Sequence, residues 1–260
     1  MLAADNLVLM RGGREVVSGL SAALQPGSIT AIVGPNGAGK SSLLLGLAGL
    51  LAPASGGVTL DGESLARLHP RVRAQGIGYL PQAPDVAWDV AAEALVALGR
   101  LPWRDRGTAA IEAALVALDL EPLRYRPVSQ LSGGERARVL LARVLAGEPR
   151  WILADEPLAA LDLAHQLSLV AHLKACARPE NGAAQGVVVV LHDLGLAMNH
   201  ADRVLVMKDG HVIADGPPNI ALAPQVIAQG WGVRARWLGA AGAQALIAVE
   251  EPEQTERNWG

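Results

Sequence analysis

Gly34-Pro35-Asn36-Gly37-Ala38-Gly39-Lys40-Ser41 decides the fold of this chain. The octapeptide meets every fixed position of G-x-x-x-x-G-K-[ST], the pattern of a phosphate-binding loop. An apolar β-type run, Ile29-Thr30-Ala31-Ile32-Val33, precedes it, and a helix-prone run, Ser42-Leu43-Leu44-Leu45-Gly46-Leu47-Ala48, follows. Strand, loop and helix in that order are the context such a loop requires. Glycines let the backbone wrap closely around an anion. Backbone N–H groups and the helix N-terminus supply partial positive charge. In this pattern Lys40 reaches the β- and γ-phosphates and the Ser41 hydroxyl ligates Mg²⁺. A glycine-rich turn before a core helix is the plainer alternative.

A length of 260 residues suits one compact domain with room for a subdomain. Hydrophobic residues make up 51 %, whereas Phe is absent and aromatics reach only 3 %, so Leu, Val, Ala and Ile must build the core. A net charge of −3 without a basic stripe argues against a nucleic-acid partner. Cys176 stands alone, which excludes an internal disulfide and fits a reducing compartment; it reads as a small apolar filler on a helix. The longest apolar stretch, residues 43–54, falls short of the ~20 residues a membrane span needs. No signal peptide is expected at the N-terminus, which lacks a charged region followed by an apolar run. Work at a membrane would need a partner that holds the chain there.

Strand texture marks residues 7–10 and 16–20, then the run into the phosphate loop, residues 57–62 and residues 77–80. Between about 83 and 147 the texture turns Ala/Leu-rich and helical, at 90–98, 108–118 and 135–146, as expected of a helical insertion into an α/β core. Strands return at 151–154 and 186–191, around a helix at 163–177. Continuous apolar strands alternating with helices indicate a parallel sheet covered on both faces. Residues 204–207 and 211–214 flank a hairpin turn at Lys208-Asp209-Gly210. The tail from about Gly239, with the charged run 250–257, shows little periodicity and reads as peripheral and open to disorder.

Four further features carry chemistry. Asp155-Glu156 ends an apolar strand, and strand C-termini in a parallel sheet point into the ligand crevice. Asp155 is then placed to hold Mg²⁺, and Glu156 to polarise an attacking water. Gln82 also ends a short strand, where its amide can bond Mg²⁺ and water; a surface glutamine is the plainer alternative. Leu131-Ser132-Gly133-Gly134-Glu135 precedes a helix beginning near Arg136, and its serine hydroxyl, glycine N–H groups and helix N-terminus form a second anion site. Ser132 equally reads as an ordinary helix cap. One chain cannot easily bring both anion sites to one phosphate, whereas two chains head to tail can. His192 follows the strand at 186–191, so its imidazole lies in the same crevice, able to contact a γ-phosphate or orient water.

In this order, the motifs resemble the nucleotide-binding subunit of an ATP-binding cassette (ABC) transporter. The resemblance runs from about Leu2 to Leu238 and leaves 239–260 as a peripheral tail. It identifies Gly34–Ser41 as Walker A, with Ser42 beside it, Gln82 as the Q-loop glutamine and Leu131–Glu135 as the signature. Trp151–Asp155 becomes Walker B, Glu156 the catalytic base, Ala160-Leu161-Asp162 the D-loop and His192 the switch histidine. Fold implied: an α/β, RecA-like P-loop NTPase core with an N-terminal antiparallel β region and an inserted helical subdomain. Three stretches are similar to importers of ferric siderophores, haem or cobalamin: Val96-Ala97-Leu98-Gly99-Arg100-Leu101-Pro102-Trp103, Leu161-Asp162-Leu163-Ala164-His165-Gln166 and Val212-Ile213-Ala214-Asp215-Gly216-Pro217. Family members usually stack an aromatic on adenine near the first strand; here the region reads Met10-Arg11-Gly12-Gly13-Arg14, and Arg11 is the substitute expected.

The resemblance further implies ATP and Mg²⁺ as ligands and a homodimer with two ATP molecules sandwiched between Walker A of one subunit and the signature of the other. It implies a transmembrane permease, a substrate-binding protein and a place on the cytoplasmic face of the membrane. The Q-loop region, about 82–90, is expected to receive a helix of the permease. Two alternatives stand beside the importer: an exporter subunit, and a soluble ABC-type ATPase of DNA repair or translation. The single cassette and short helical insertion disfavour the second.

Overall fold

The computed structural model describes residues 1–82, 89–159, 161–180 and 182–249. Two strands longer than the sequence suggests, β1 (Leu2–Arg11) and β2 (Arg14–Leu24), form a hairpin. After β3 (Ile29–Val33) and α1 (Lys40–Leu47) come β4 (Ser55–Leu60) and the short β5 (Glu63–Ser64). These join the hairpin in an antiparallel sheet ordered β2-β1-β4-β5, the expected N-terminal β region. Helix α2 (Pro70–Gly76) leads into β6 (Ile77–Leu80). The helical subdomain follows as α3 (Ala92–Ala97), α4 (Thr108–Ala117) and α5 (Gly133–Ala146). The core resumes with β7 (Trp151–Asp155), α6 (Leu163–Ala177), β8 (Gly186–Val190), α7 (Leu194–His200), β9 (Arg203–Lys208) and β10 (His211–Gly216). It ends with α8 (Pro218–Ala221), α9 (Pro224–Trp231), β11 (Ala235–Leu238) and β12 (Ala245–Ala248).

The main sheet runs β10-β9-β3-β8-β7-β6, and only the β9–β10 pair in it is antiparallel. Every residue of β3, β7 and β8 is buried, because side chains that alternate along these strands meet a core on each face. Leu153, Val188 and Val190 join Leu43, Leu44 and Leu47 of α1 and the apolar face of the antiparallel sheet. Ile152, Ala154, Val187 and Val189 face the other way, into a core shared with α6 and the helical subdomain.

Two expectations need correction. Helix α5 begins at Gly133, before the Arg136 suggested by propensity: Ser132 and Glu135 close a reciprocal capping box that holds two glycines in the first turn. The weakly periodic tail is partly ordered: β12 pairs with β11, and Asn199 of α7 exchanges two hydrogen bonds with the Gln244 backbone. The charged run at 250–257, Ala160 and most of the 82–90 segment lie outside the described residues.

Candidate active site

Four neighbouring strands of the main sheet end side by side. The phosphate loop leaves β3, His192 lies two residues past β8, Asp155-Glu156 closes β7, and Gln82 lies two residues past β6. The parallel order therefore gathers residues more than a hundred positions apart in sequence. Arg11, Val16, residues 36–42, Gln82, Glu156 and His192 line one cleft of about 550 Å³.

Close approach of other strands dictates two of the loop glycines. A Cβ on Gly34 (φ 154°) would stand 2.1 Å from the Met207 carbonyl oxygen, and one on Gly39 (φ 98°) 2.1 Å from that of Val16. Inside the loop, the buried Lys40 ammonium donates to the carbonyls of Gly34 and Pro35, both at 2.9 Å. Burial holds its pKa below the ordinary lysine range, and the Glu156 and Asp155 charges oppose that shift.

Ser41 Oγ donates to Asp155 Oδ1 at 3.0 Å. Burial pushes the Asp155 carboxyl upward, Glu156 adds to this, and the Ser41 and Tyr79 hydroxyls counter it. Glu156 bridges the cleft floor: Gln82 Nε2 donates to Oε2 at 2.5 Å, and His192 Nε2 sits 2.5 Å from Oε1. Its backbone is left-handed, φ 48°, an unusual state for a side-chain-bearing residue. Of the three residues expected to share a cation, Ser41 and Asp155 meet directly, whereas the Gln82 amide is engaged by Glu156.

Tyr79 was not singled out by sequence reasoning. Its hydroxyl lies 3.5 Å from Asp155 Oδ2, and burial, followed by the Asp155 charge, pushes its pKa up to about 12. The only signal was a polar-tipped side chain on the strand that leads to Gln82.

Leu131, Ser132, Gly133, Gly134 and Glu135 do not line this cleft. Ser132 Oγ accepts from the Glu135 N–H at 3.3 Å while Glu135 Oε2 accepts from the Ser132 N–H at 2.7 Å, so the cap reading of Ser132 is realised. Ser132 and Gly133 remain exposed. Asp162 caps α6, and Leu161 packs against the core.

Across residues 17–159 the chain matches the ABC transporter family model. The chain belongs to this family. It is 47 % identical over 236 residues to a hemin import ATP-binding protein of Nocardia farcinica, covering 87 % of this chain and 81 % of the relative. Its identity to the hemin import ATP-binding protein of Pseudomonas fluorescens is 44 %, covering 90 % and 93 %. Among solved structures, a putative metal-chelate type ABC transporter in an inward-facing conformation superposes with a TM-score of 0.80 at 25 % identity, over 96 % of this chain and 97 % of that one. A dimeric ATP-binding cassette in a post-hydrolysis state with ADP and phosphate gives 0.74 at 27 % identity, over 84 % and 99 %. The chain is thus an ABC-type ATPase. Among the described residues, no helix is long and apolar enough to cross a membrane.

Proposed function

We propose that this chain powers an importer of haem or a closely related iron chelate. It works as a homodimer on the cytoplasmic face of the membrane, with a permease and a substrate-binding protein. The clasp on Glu156 carries the hydrolytic part of this reading: a carboxylate held between an amide and an imidazole beside a phosphate loop suits activation of water. The named relatives support the cargo class.

The residues fit magnesium as ABC chemistry uses it. No cluster of three or more His, Cys, Asp or Glu that could hold a metal exists among the described residues. A cation bound by one hydroxyl, one carboxylate and substrate phosphates needs no such cluster, and Ser41 and Asp155 supply that pair. When bound, magnesium draws charge from the phosphoryl oxygens as a Lewis acid. Lys40 exchanges its loop carbonyls for the β- and γ-phosphates and, with the loop N–H groups, offsets negative charge that builds in the transition state. Glu156 takes the proton of the attacking water, while Gln82 and His192 keep its carboxylate aimed. Arg11, which lines the cleft, stacks its guanidinium plane on the base. Ser132, Gly133 and Gly134 act on the nucleotide of the opposing subunit, since they lie outside their own cleft.

A tagged Glu156→Gln variant, purified from gently solubilised membranes with ATP and Mg²⁺ present, tests the assignment by mass spectrometry of what co-purifies. A polytopic permease whose reconstituted complex takes up haem is expected. Recovery with soluble partners alone would refute it. Ser132→Arg should block dimer formation and leave nucleotide binding by single subunits intact.

A further inference from the structure

Three residues at the start of α6, Asp162, His165 and Gln166, have no part in the chemistry above, yet together they reach both halves of it. Asp162 Oδ1 accepts from the His165 N–H at 2.9 Å and lies 2.7 Å from His165 Nδ1, which locks the imidazole over the first turn of α6. The locked ring lies flat on the signature start: a Cβ on Gly134 would stand 2.5, 2.7 and 2.8 Å from three of its atoms. Gly134 is buried as a result, while Ser132 and Gly133 on the same turn stay exposed. One residue on, Gln166 Nε2 donates to the Leu158 carbonyl at 3.1 Å, in the loop that leaves Glu156. The first turn of α6 therefore grips the glutamate's own loop with one side chain and the signature helix with the next.

We infer that His165 is a positioning residue that couples the two nucleotide sites of the dimer. The inference rests on the homodimer reading, in which one chain lends Glu156 to one site and its signature to the other. Any shift of the loop behind Glu156 moves α6, and the His165 ring passes the shift to Gly134 at the far site. Packed side chains with discrete arrangements carry such coupling. The ring does the work, and its bond to Asp162 sets only its angle.

ATP hydrolysis by the purified chain, read as kcat and as a Hill coefficient, tests this with His165→Ala and His165→Phe. The wild type should approach a Hill coefficient of about 2, the number of coupled sites. His165→Ala should fall toward about 1, with kcat reduced roughly two- to thirtyfold, the range of typical coupling losses. His165→Phe, which keeps a flat ring on Gly134, should restore most of both. Affinity for a fluorescent ATP analogue and the unfolding temperature should stay at wild-type values in either variant. Wild-type cooperativity in His165→Ala would overturn the inference, as would equal loss in both variants or a parallel fall in affinity and stability. Gel filtration with ATP separates this from the dimer reading. Glu156→Gln and Glu156→Gln/His165→Ala should both dimerise if the dimer holds, and failure of Glu156→Gln alone would defeat that reading instead.

Discussion

Replacing Glu156 by glycine should give a more stable protein than replacing it by alanine, the reverse of the usual order. Glu156 sits at φ 48° at the end of β7, where an L-residue pays about 1–2 kcal/mol for its Cβ. Both substitutions lose the same contacts, from Gln82 Nε2 and His192 Nε2, so those losses cancel in the comparison. Alanine keeps the Cβ and its strain, whereas glycine removes it. Glycine also gives the unfolded chain more freedom, which ordinarily costs about 0.5–1 kcal/mol relative to alanine. The difference leaves the glycine variant ahead by about 0.5–1 kcal/mol. In a chain of this size that corresponds to roughly 1–4 °C in Tm.

Urea titrations of the two variants measure this directly, provided the m-values agree. Both should hydrolyse ATP at least about a hundredfold more slowly than the wild type, the usual worth of a positioned general base. An alanine variant as stable as the glycine variant, or more so, would refute the strain argument. Turnover within tenfold of wild type in either would remove Glu156 from the chemistry.

Lys40→Ala should weaken ATP binding at least about tenfold, since it removes a charged donor from the phosphates; unchanged affinity by titration calorimetry would sink the phosphate-loop role. Arg11→Ala should weaken ATP several-fold more than it weakens inorganic triphosphate, and equal losses would rule out stacking on the base. Arg100, buried under Trp103, pairs with Asp105 and Glu148 and donates to the Ala146 carbonyl. Arg100→Ala should cost about 2–3 kcal/mol in urea unfolding, below the loss for a fully buried pair because both acids face water; a cost under about 1 kcal/mol would show the network to be ornamental. Burial pushes the Cys176 thiol up to about 11, so at pH 8 roughly one molecule in a thousand carries the reactive thiolate. Iodoacetamide should therefore label it slowly in the native state, faster with each rise in pH, and rapidly once urea unfolds the chain.

Much of this was legible in residues whose neighbours in sequence are also their partners. The strand at 29–33 and the helix after the glycine-rich loop stand where the sequence puts them, and α6 runs over the residues its periodicity marks, 163–177. What escaped depended on contacts across the fold. Helix α2 is one such case: it has no buried residue, and its Arg71 and Gln75 instead donate to the carbonyls of Pro102 and Trp103. Helix α7 is seven residues long with a glycine in its first turn, and its Asp193 cap looks like any strand-end acid. Strand β12 depends on its pairing with β11 and on Asn199. For the site, sequence named the strand-end residues. It gave no sign that β7 lies between β6 and β8, and that order puts the Glu156 carboxylate between Gln82 and His192.

The cleft is assembled from groups that would each be more comfortable elsewhere. Burial opposes the charge on Lys40 and the charge on Asp155, and a second acid stands next to that aspartate on a strained backbone. Each is held by its neighbours in the fold: Lys40 donates to two loop carbonyls, Asp155 accepts from Ser41, and Glu156 accepts from Gln82 with His192 beside it. The loop carbonyls and the Ser41 hydroxyl are neutral hydrogen-bond partners, while the charges of Glu156 and Asp155 only partly offset the burial of Lys40. In the proposed nucleotide complex, a phosphate chain would add negative charge beside Lys40, and its cation positive charge beside Asp155. On the proposed reading, nucleotide binding would relieve part of the cost that burial imposes on the Lys40 and Asp155 charges. The surrounding core makes that cost tolerable, because the strands that hold these residues, β3, β7 and β8, are buried along their whole length on both faces.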